Sequence, residues 1–195
     1  FVFALLGSLC LAGEPDLDTV MKGYLKALGG EKEIRKIITL EKTGIYIYNG
    51  LEHPLTVLHQ GNRVRMDIDG LQQHGTNMKP GKIVTRAYDG KLAWRINPRD
   101  GKVGPYPEGR AGNIVGEADL VSPLVDPRHK DRTLRLIGRE DLERQPVFHL
   151  QVTLASGGTQ DWYLDTQTFL PIKKSVPEQD MFNPQSWFFS DYRSV

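Results

Sequence analysis

The stretch Lys82–Pro98, KIVTRAYDGKLAWRINP, sets the tightest limit on how this chain folds. Asp89-Gly90 stands between two runs in which apolar and polar residues alternate, the pattern of a β-hairpin. Beyond the turn, Leu92, Trp94 and Ile96 fall on one face and Ala93, Arg95 and Asn97 on the other. One face of the hairpin is therefore apolar and has to be covered, either by other elements or by a guest molecule.

The preceding residues repeat the theme. Asp16–Leu28 reads as a helix, with Leu17, Val20, Met21, Tyr24 and Leu28 on one stripe. Asp16 is placed to cap it and Gly29-Gly30 to end it, and Glu31–Ile37 adds one or two turns. From Ile38 the period changes to two. Ile38–Tyr48 is a long strand with a break or bulge expected at Gly44, and Asn49-Gly50 turns it into Leu51–Gln60. Gly61-Asn62 leads to Arg63–Asp69, where Val64, Met66 and Ile68 face one way and Arg63, Arg65, Asp67 and Asp69 the other. Asp69-Gly70 then leads to a short strand near Leu71–Thr76. No helical pattern separates these strands, so they form an antiparallel meander, and a doubly wound parallel sheet is excluded.

The meander is interrupted once. Arg99–Gly112, rich in Gly, Pro and charge, reads as a mobile loop. Asn113–Val125, NIVGEADLVSPLV, reads as a helix capped by Asn113 and limited by Pro123; its apolar residues cover so much of its circumference that it must be buried. Strands resume at Thr133–Ile137, and Glu140–Pro146 is a polar connection. In Val147–Leu154, Phe148, Leu150, Val152 and Leu154 share a face, and in Gln160–Asp165 Trp162 and Leu164 do. Phe169–Val176 and Trp187–Val195 complete the set, the chain stopping within the last strand. No internal repeat is present, and residues 13–195 read as a single domain.

With 25 basic and 24 acidic residues interspersed along 195 positions, the chain lacks the clustered basic surface of a nucleic-acid-binding protein. Phe1–Ala12, FVFALLGSLCLA, is too short to span a bilayer and fits the apolar core and cleavage site of a secretory signal, here without its start. Leu9, where a lipidation signal has a small residue, disfavours a lipid anchor at Cys10. Cleavage after Ala12 removes the only cysteine, and with it any disulfide or thiolate chemistry.

Chemistry is sparse. His53, His59, His74, His129 and His149 lie on separate segments with no metal-binding spacing. Asp67 and Asp69 share a strand face with Arg63 and Arg65, which makes a solvated mixed-charge ladder rather than an acid–base pair. No nucleophile elbow, P-loop or dinucleotide fingerprint occurs. An enzyme has no positive support, and no metal or cofactor is expected. The aromatic residues are more informative: Trp94 and Trp162 sit on inward faces of separate strands, and Trp187, Phe188 and Phe189 open the last one. A curved sheet with this much apolar surface and few helices can leave a cavity for an apolar ligand.

The order of these features resembles that of a known family. A helix ends in Leu28-Gly29-Gly30, and a long meander leads to Tyr88-Asp89-Gly90, Trp94 and Asn97-Pro98. An apolar helical insertion follows, and then Trp162–Asp165 ahead of Leu170-Pro171. The chain in this respect is similar to the LolA-like family of outer-membrane lipoprotein-sorting proteins. The resemblance implies an α+β fold in which a curved antiparallel sheet, an incomplete barrel, has its concave face covered by an N-terminal helix and a helical lid.

It further implies a non-catalytic periplasmic carrier for the acyl chain of a lipid or lipoprotein, working with membrane-associated transport proteins. By position, Val64, Met66, Ile68, Leu92, Trp94, Ile96, Phe148, Leu150 and Trp162 line the cavity, and Ile114, Leu120, Val121 and Leu124 belong to the lid. The family's basic lid latch lies in an Arg-Pro sequence. Gln60-Gly61-Asn62-Arg63-Val64-Arg65 has no proline, so no latch is carried over. The alternative is a sensor or interaction protein of the same fold, with a cavity filled by its own side chains and a protein as partner.

Overall fold

Leu17–Ala27 forms helix α1 because its apolar residues recur at helical spacing and Asp16 closes its open end, Oδ1 accepting from the Thr19 N–H at 2.8 Å. Val20, Met21 and Tyr24 are its buried stripe. A short α2, Glu31–Ile34, buries Ile34. The computed structural model describes residues 15–48, 51–70, 83–97, 100–106, 111–118, 120, 122–125, 132–154, 157–176 and 185–193. The expected leader, residues 1–12, and the strand expected near Leu71–Thr76 lie outside these.

The meander is divided into two antiparallel sheets, each with its strands in sequence order. The first contains β1 (Thr39–Tyr48), β2 (Leu51–Gln60), β3 (Arg63–Ile68), β4 (Val84–Tyr88), β5 (Ala93–Ile96) and β6 (Val103–Pro105). The second contains β7 (Thr133–Leu142), β8 (Gln145–Thr153), β9 (Thr159–Asp165), β10 (Pro171–Val176) and β11 (Gln185–Phe188). Between them lies α3, Ala111–Gly116.

Several expected boundaries are corrected. β1 pairs with β2 without a bulge, Gly44 lying flush against Leu55, and the irregularities fall instead at Leu136/Gly138 and Pro171/Lys173. The stretch expected to be a loop supplies β6, which pairs Val103 with Ile96. The helix expected over Asn113–Val125 is only α3; Asn113 lies inside it, and Gly116 ends it. Beyond Gly116 the Glu117 and Ala118 N–H groups bond back three residues, to Ile114 and Val115. Glu140–Pro146 is strand on both sides of a two-residue turn. Glu143 and Arg144 take φ 52° and 73° there, left-handed values that a hairpin turn of this type requires and that no glycine advertises. The final strand spans only Gln185–Phe188; Tyr192 beyond it donates its hydroxyl to the Pro171 carbonyl at 2.8 Å.

Each sheet turns one apolar face inward. On the second, Phe148, Leu150, Val152, Trp162 and Leu164 pack with Val20, Met21, Tyr24, Ile34, Leu124 and Val125. On the first, Val57, Val64, Met66, Ile68 and Val84 pack with Ile114 and Ala118. α1 lies close to its neighbours: a Cβ on Gly23 would sit 2.5 Å from Phe169 Cδ1. Gly23→Ala is therefore expected to lower stability by about 1–2 kcal/mol in urea unfolding, the clash outweighing the gain in helix propensity.

Burial of the Tyr24 phenol pushes its pKa from 10.0 up to about 12, opposed by its hydrogen bond with Ser122. A folded pKa above the unfolded one gives stability that is complete below pH 10 and fades as pH rises toward 12. Thermal melts should show that alkaline decline, less steep in Tyr24→Phe. Some slope should persist, because burial raises the pKa of Tyr192 as well, and only the smaller contribution of the Tyr24 phenolate is lost with the substitution.

Candidate functional site between the sheets

Strand register decides which side chains share a face, because residues opposite one another in an antiparallel pair point the same way. Val64 lies opposite Tyr88, and Ile68 opposite Val84, on the face that packs α3. Tyr88 in turn lies opposite Ala93, so alternation sends Trp94 and Ile96 to the other face. The expectation that Leu92, Trp94 and Ile96 share a surface with Val64, Met66 and Ile68 is thus corrected. Leu92 belongs to the β4–β5 turn, where its N–H donates to Asp89 Oδ1 at 2.8 Å, and its side chain is 70 % exposed. Trp94 lines an outer cleft of about 250 Å³ with Leu58, Arg65 and Ala87.

The other expected residues divide between the two apolar clusters. Val64, Met66 and Ile68 meet Ile114 of α3 on the first sheet. Phe148, Leu150 and Trp162 meet Leu124 on the second. Leu120 is half-buried, and Val121 lies outside the described residues. The segment that follows β6 therefore reaches both sheets, touching one with Ile114 and Ala118 and the other with Leu124 and Val125. Arg63 and Arg65 are on the outer face; Arg65 Nε bonds Asp67 Oδ2 at 2.8 Å, part of the expected charge ladder.

Residues that the sequence reading passed over join α3 to the second sheet. Glu117 follows α3 directly, and its Oε1 lies 2.5 Å from Lys174 Nζ on β10. Lys174 lies opposite Trp162 on β9 and Trp187 on β11, hence on the inward face, and its ammonium is 4.0 Å from the Trp187 ring centre and 5.6 Å from that of Trp162. Trp162 Nε1 donates to the buried Gln160 Oε1 at 3.2 Å, and its ring stacks on Phe189. Lys42 of β1 reaches the same place. It is exposed as a residue on the edge strand, yet its ammonium is desolvated. That loss of solvent lowers its pKa; Glu117 opposes the shift and Lys174 adds to it.

The inward lysine could have been found from one signal. Lys173 and Lys174 are neighbours on a strand, so one of them had to face inward. Among the described residues, no group of three or more His, Cys, Asp or Glu side chains is arranged to hold a metal ion, and no helix is long and apolar enough to cross a membrane.

No family model and no curated protein matches the chain in sequence. Comparison of structures does find similar chains. A LolA superfamily protein from Nitrosomonas europaea is similar at 13 % identity and TM-score 0.40, over 83 % of this chain and 71 % of that one. A domain from Vibrio parahaemolyticus described as outer membrane lipoprotein-sorting is similar at 12 % identity and TM-score 0.47, over 90 % and 80 %. The complex of Pseudomonas aeruginosa MucA with MucB contains a chain similar at 18 % identity and TM-score 0.31, over 86 % of this chain and 57 % of that one. LolA-like proteins, which the sequence motifs resemble, are thus among the similar structures. At these identities and TM-scores the likeness says nothing about what this chain binds.

Removing one partner of a buried ion pair strands the other's charge. Lys174→Ala is accordingly expected to lose about 3–5 kcal/mol in urea unfolding, and combining Lys174→Met with Glu117→Leu should restore most of that stability.

Proposed function

We propose that this chain is a non-catalytic, periplasmic carrier of the lipoprotein-sorting type, taking an acyl chain of a lipid or lipoprotein between its sheets. The observation that carries this reading is the cover over the first sheet. An apolar face built from Val57, Val64, Met66, Ile68 and Val84 is met by two buried residues of the segment after β6, Ile114 and Ala118. That segment is tied to the opposite sheet by the Glu117–Lys174 ion pair. A polar tie over an apolar wall can open without exposing a large core, and each methylene that takes its place would contribute about 0.8 kcal/mol. Val64, Met66 and Ile68 form the proposed wall on one side, Phe148, Leu150 and Trp162 on the other, with Ile114 and Leu124 in the cover.

A second reading has its own support. Leu150 and Leu164 are wholly buried by this chain's own residues, while Ile45 and Ile47 on edge strand β1 are 56 % and 66 % exposed. That is the disposition of an interaction protein with a filled interior and a partner docked at the sheet edge.

Lipid extraction of protein purified from its own host, together with titration of a fluorescent fatty acid, separates the two. The carrier reading expects co-purified lipid and saturable uptake; an empty protein that also ignores the probe would sink it. Leu92→Asp should leave uptake unchanged and stability within about 0.5 kcal/mol, since that side chain is in an exposed turn.

A further inference from the structure

We infer that the face of the first sheet that packs α3 receives the acidic head of a single-chain amphiphile, an alkyl carboxylate, with Lys42 pairing its charge; this rests on the carrier reading above. Charge on the first sheet is sorted by face. Across its five longer strands, Lys42, Val57, Met66, Arg86 and Arg95 lie opposite one another in turn, all on the side that packs α3. The paired strands put Glu41, Glu52 and Asp67 on the other side. The inward face of this sheet therefore carries cations and no carboxylate among the described residues.

The described segment after β6 brings one carboxylate to that face, Glu117, and Lys174 already holds it at 2.5 Å. Side-chain exposures of 6 % for Lys174 and 17 % for Glu117 leave little water to share. Among the described residues, no carboxylate is within ion-pair distance of Lys42. Lys42, exposed along its stem, loses solvent at its ammonium and feels both Glu117 and Lys174. With Arg86 and Arg95 on the same sheet face, positive charge exceeds what Glu117 balances, and an anion at Lys42 offsets that excess. A carboxylate accepts hydrogen bonds from an ammonium strongly where water is scarce. Its alkyl tail would then run along Val57 and Met66, the next two residues after Lys42 in the same cross-strand row. The class of ligand follows: one negative charge, one long apolar chain.

The test titrates the full chain with a fluorescently labelled long-chain fatty acid and with the methyl ester of the same molecule. The acid should bind about tenfold tighter, a difference of about 1.4 kcal/mol. Lys42→Met should bring the acid down to the level of the ester without changing the ester, and Lys42→Arg should keep the preference. Equal affinity of acid and ester for the unaltered protein overturns the head-group assignment and leaves the carrier reading standing. Failure of both ligands to bind overturns both. Acetate competing as well as the fatty acid would show a site for a small anion and would likewise overturn the assignment. The acid–ester comparison needs no variant, so it decides the matter even where Lys42→Met fails to fold.

Discussion

Each sheet of this protein presents an apolar face that water must be kept from, and three helices, the longest of eleven residues, are what the described chain supplies to do it. That shortage governs the arrangement. α1 is spent on the second sheet, where Val20, Met21 and Tyr24 close over Leu150 and Leu164. The first sheet is left to α3, and a six-residue helix offers one turn and a half of surface. The segment compensates by continuing past its helix, so that Leu124 and Val125 anchor in the second cluster while Ile114 and Ala118 rest on the first. Cover and connection are the same stretch of chain.

How much of this could be read beforehand depends on which physical signal each feature leaves. α1 was legible because a cap, a periodic stripe and a glycine stop all agree. The β2–β3 hairpin was legible because Val64, Met66 and Ile68 alternate cleanly and Gly61 supplies the left-handed residue. The β7–β8 hairpin was not, because Glu143 and Arg144 adopt left-handed backbone without the residue types that usually mark it; its strands, held by the pairing of Thr133–Leu142 with Gln145–Thr153, outweigh the local cost. Helical periodicity over Asn113–Val125 misled in the opposite direction. Apolar residues all round a helix and apolar residues reaching to two sheets give the same composition, and only tertiary contacts tell them apart.

The site was half legible for a related reason. A strand's own alternation says which residues travel together, but not which of two faces they take in the sheet. Leu92, Trp94 and Ile96 were read as one apolar face, and Trp94 and Ile96 do share one; the register of β4 against β5 turns that face outward. Met66 and Arg86, opposite one another, show the converse: a strongly polar side chain on an inward face that β4 alone, with Val84, Thr85 and Ala87 all buried, does not reveal.

What remains distinctive is the charge on the inner surfaces. A buried ion pair such as Glu117–Lys174 is a poor way to stabilise a fold, since apolar side chains of similar volume would hold the segment at least as well. Its properties are different ones. It ties the residue directly after α3 to β10, and it does so with groups that can exchange partners when a competing charge is close. Lys42, on the opposite sheet and in the field of both groups, is such a competitor, held beside them at the expense of its own solvation. A third ionic group has no packing role that methionine or leucine would not fill. Its place beside the Glu117–Lys174 pair suits a surface that meets charge from outside, and under the proposed head-group assignment the inward cations, rather than the apolar walls, would carry the specificity.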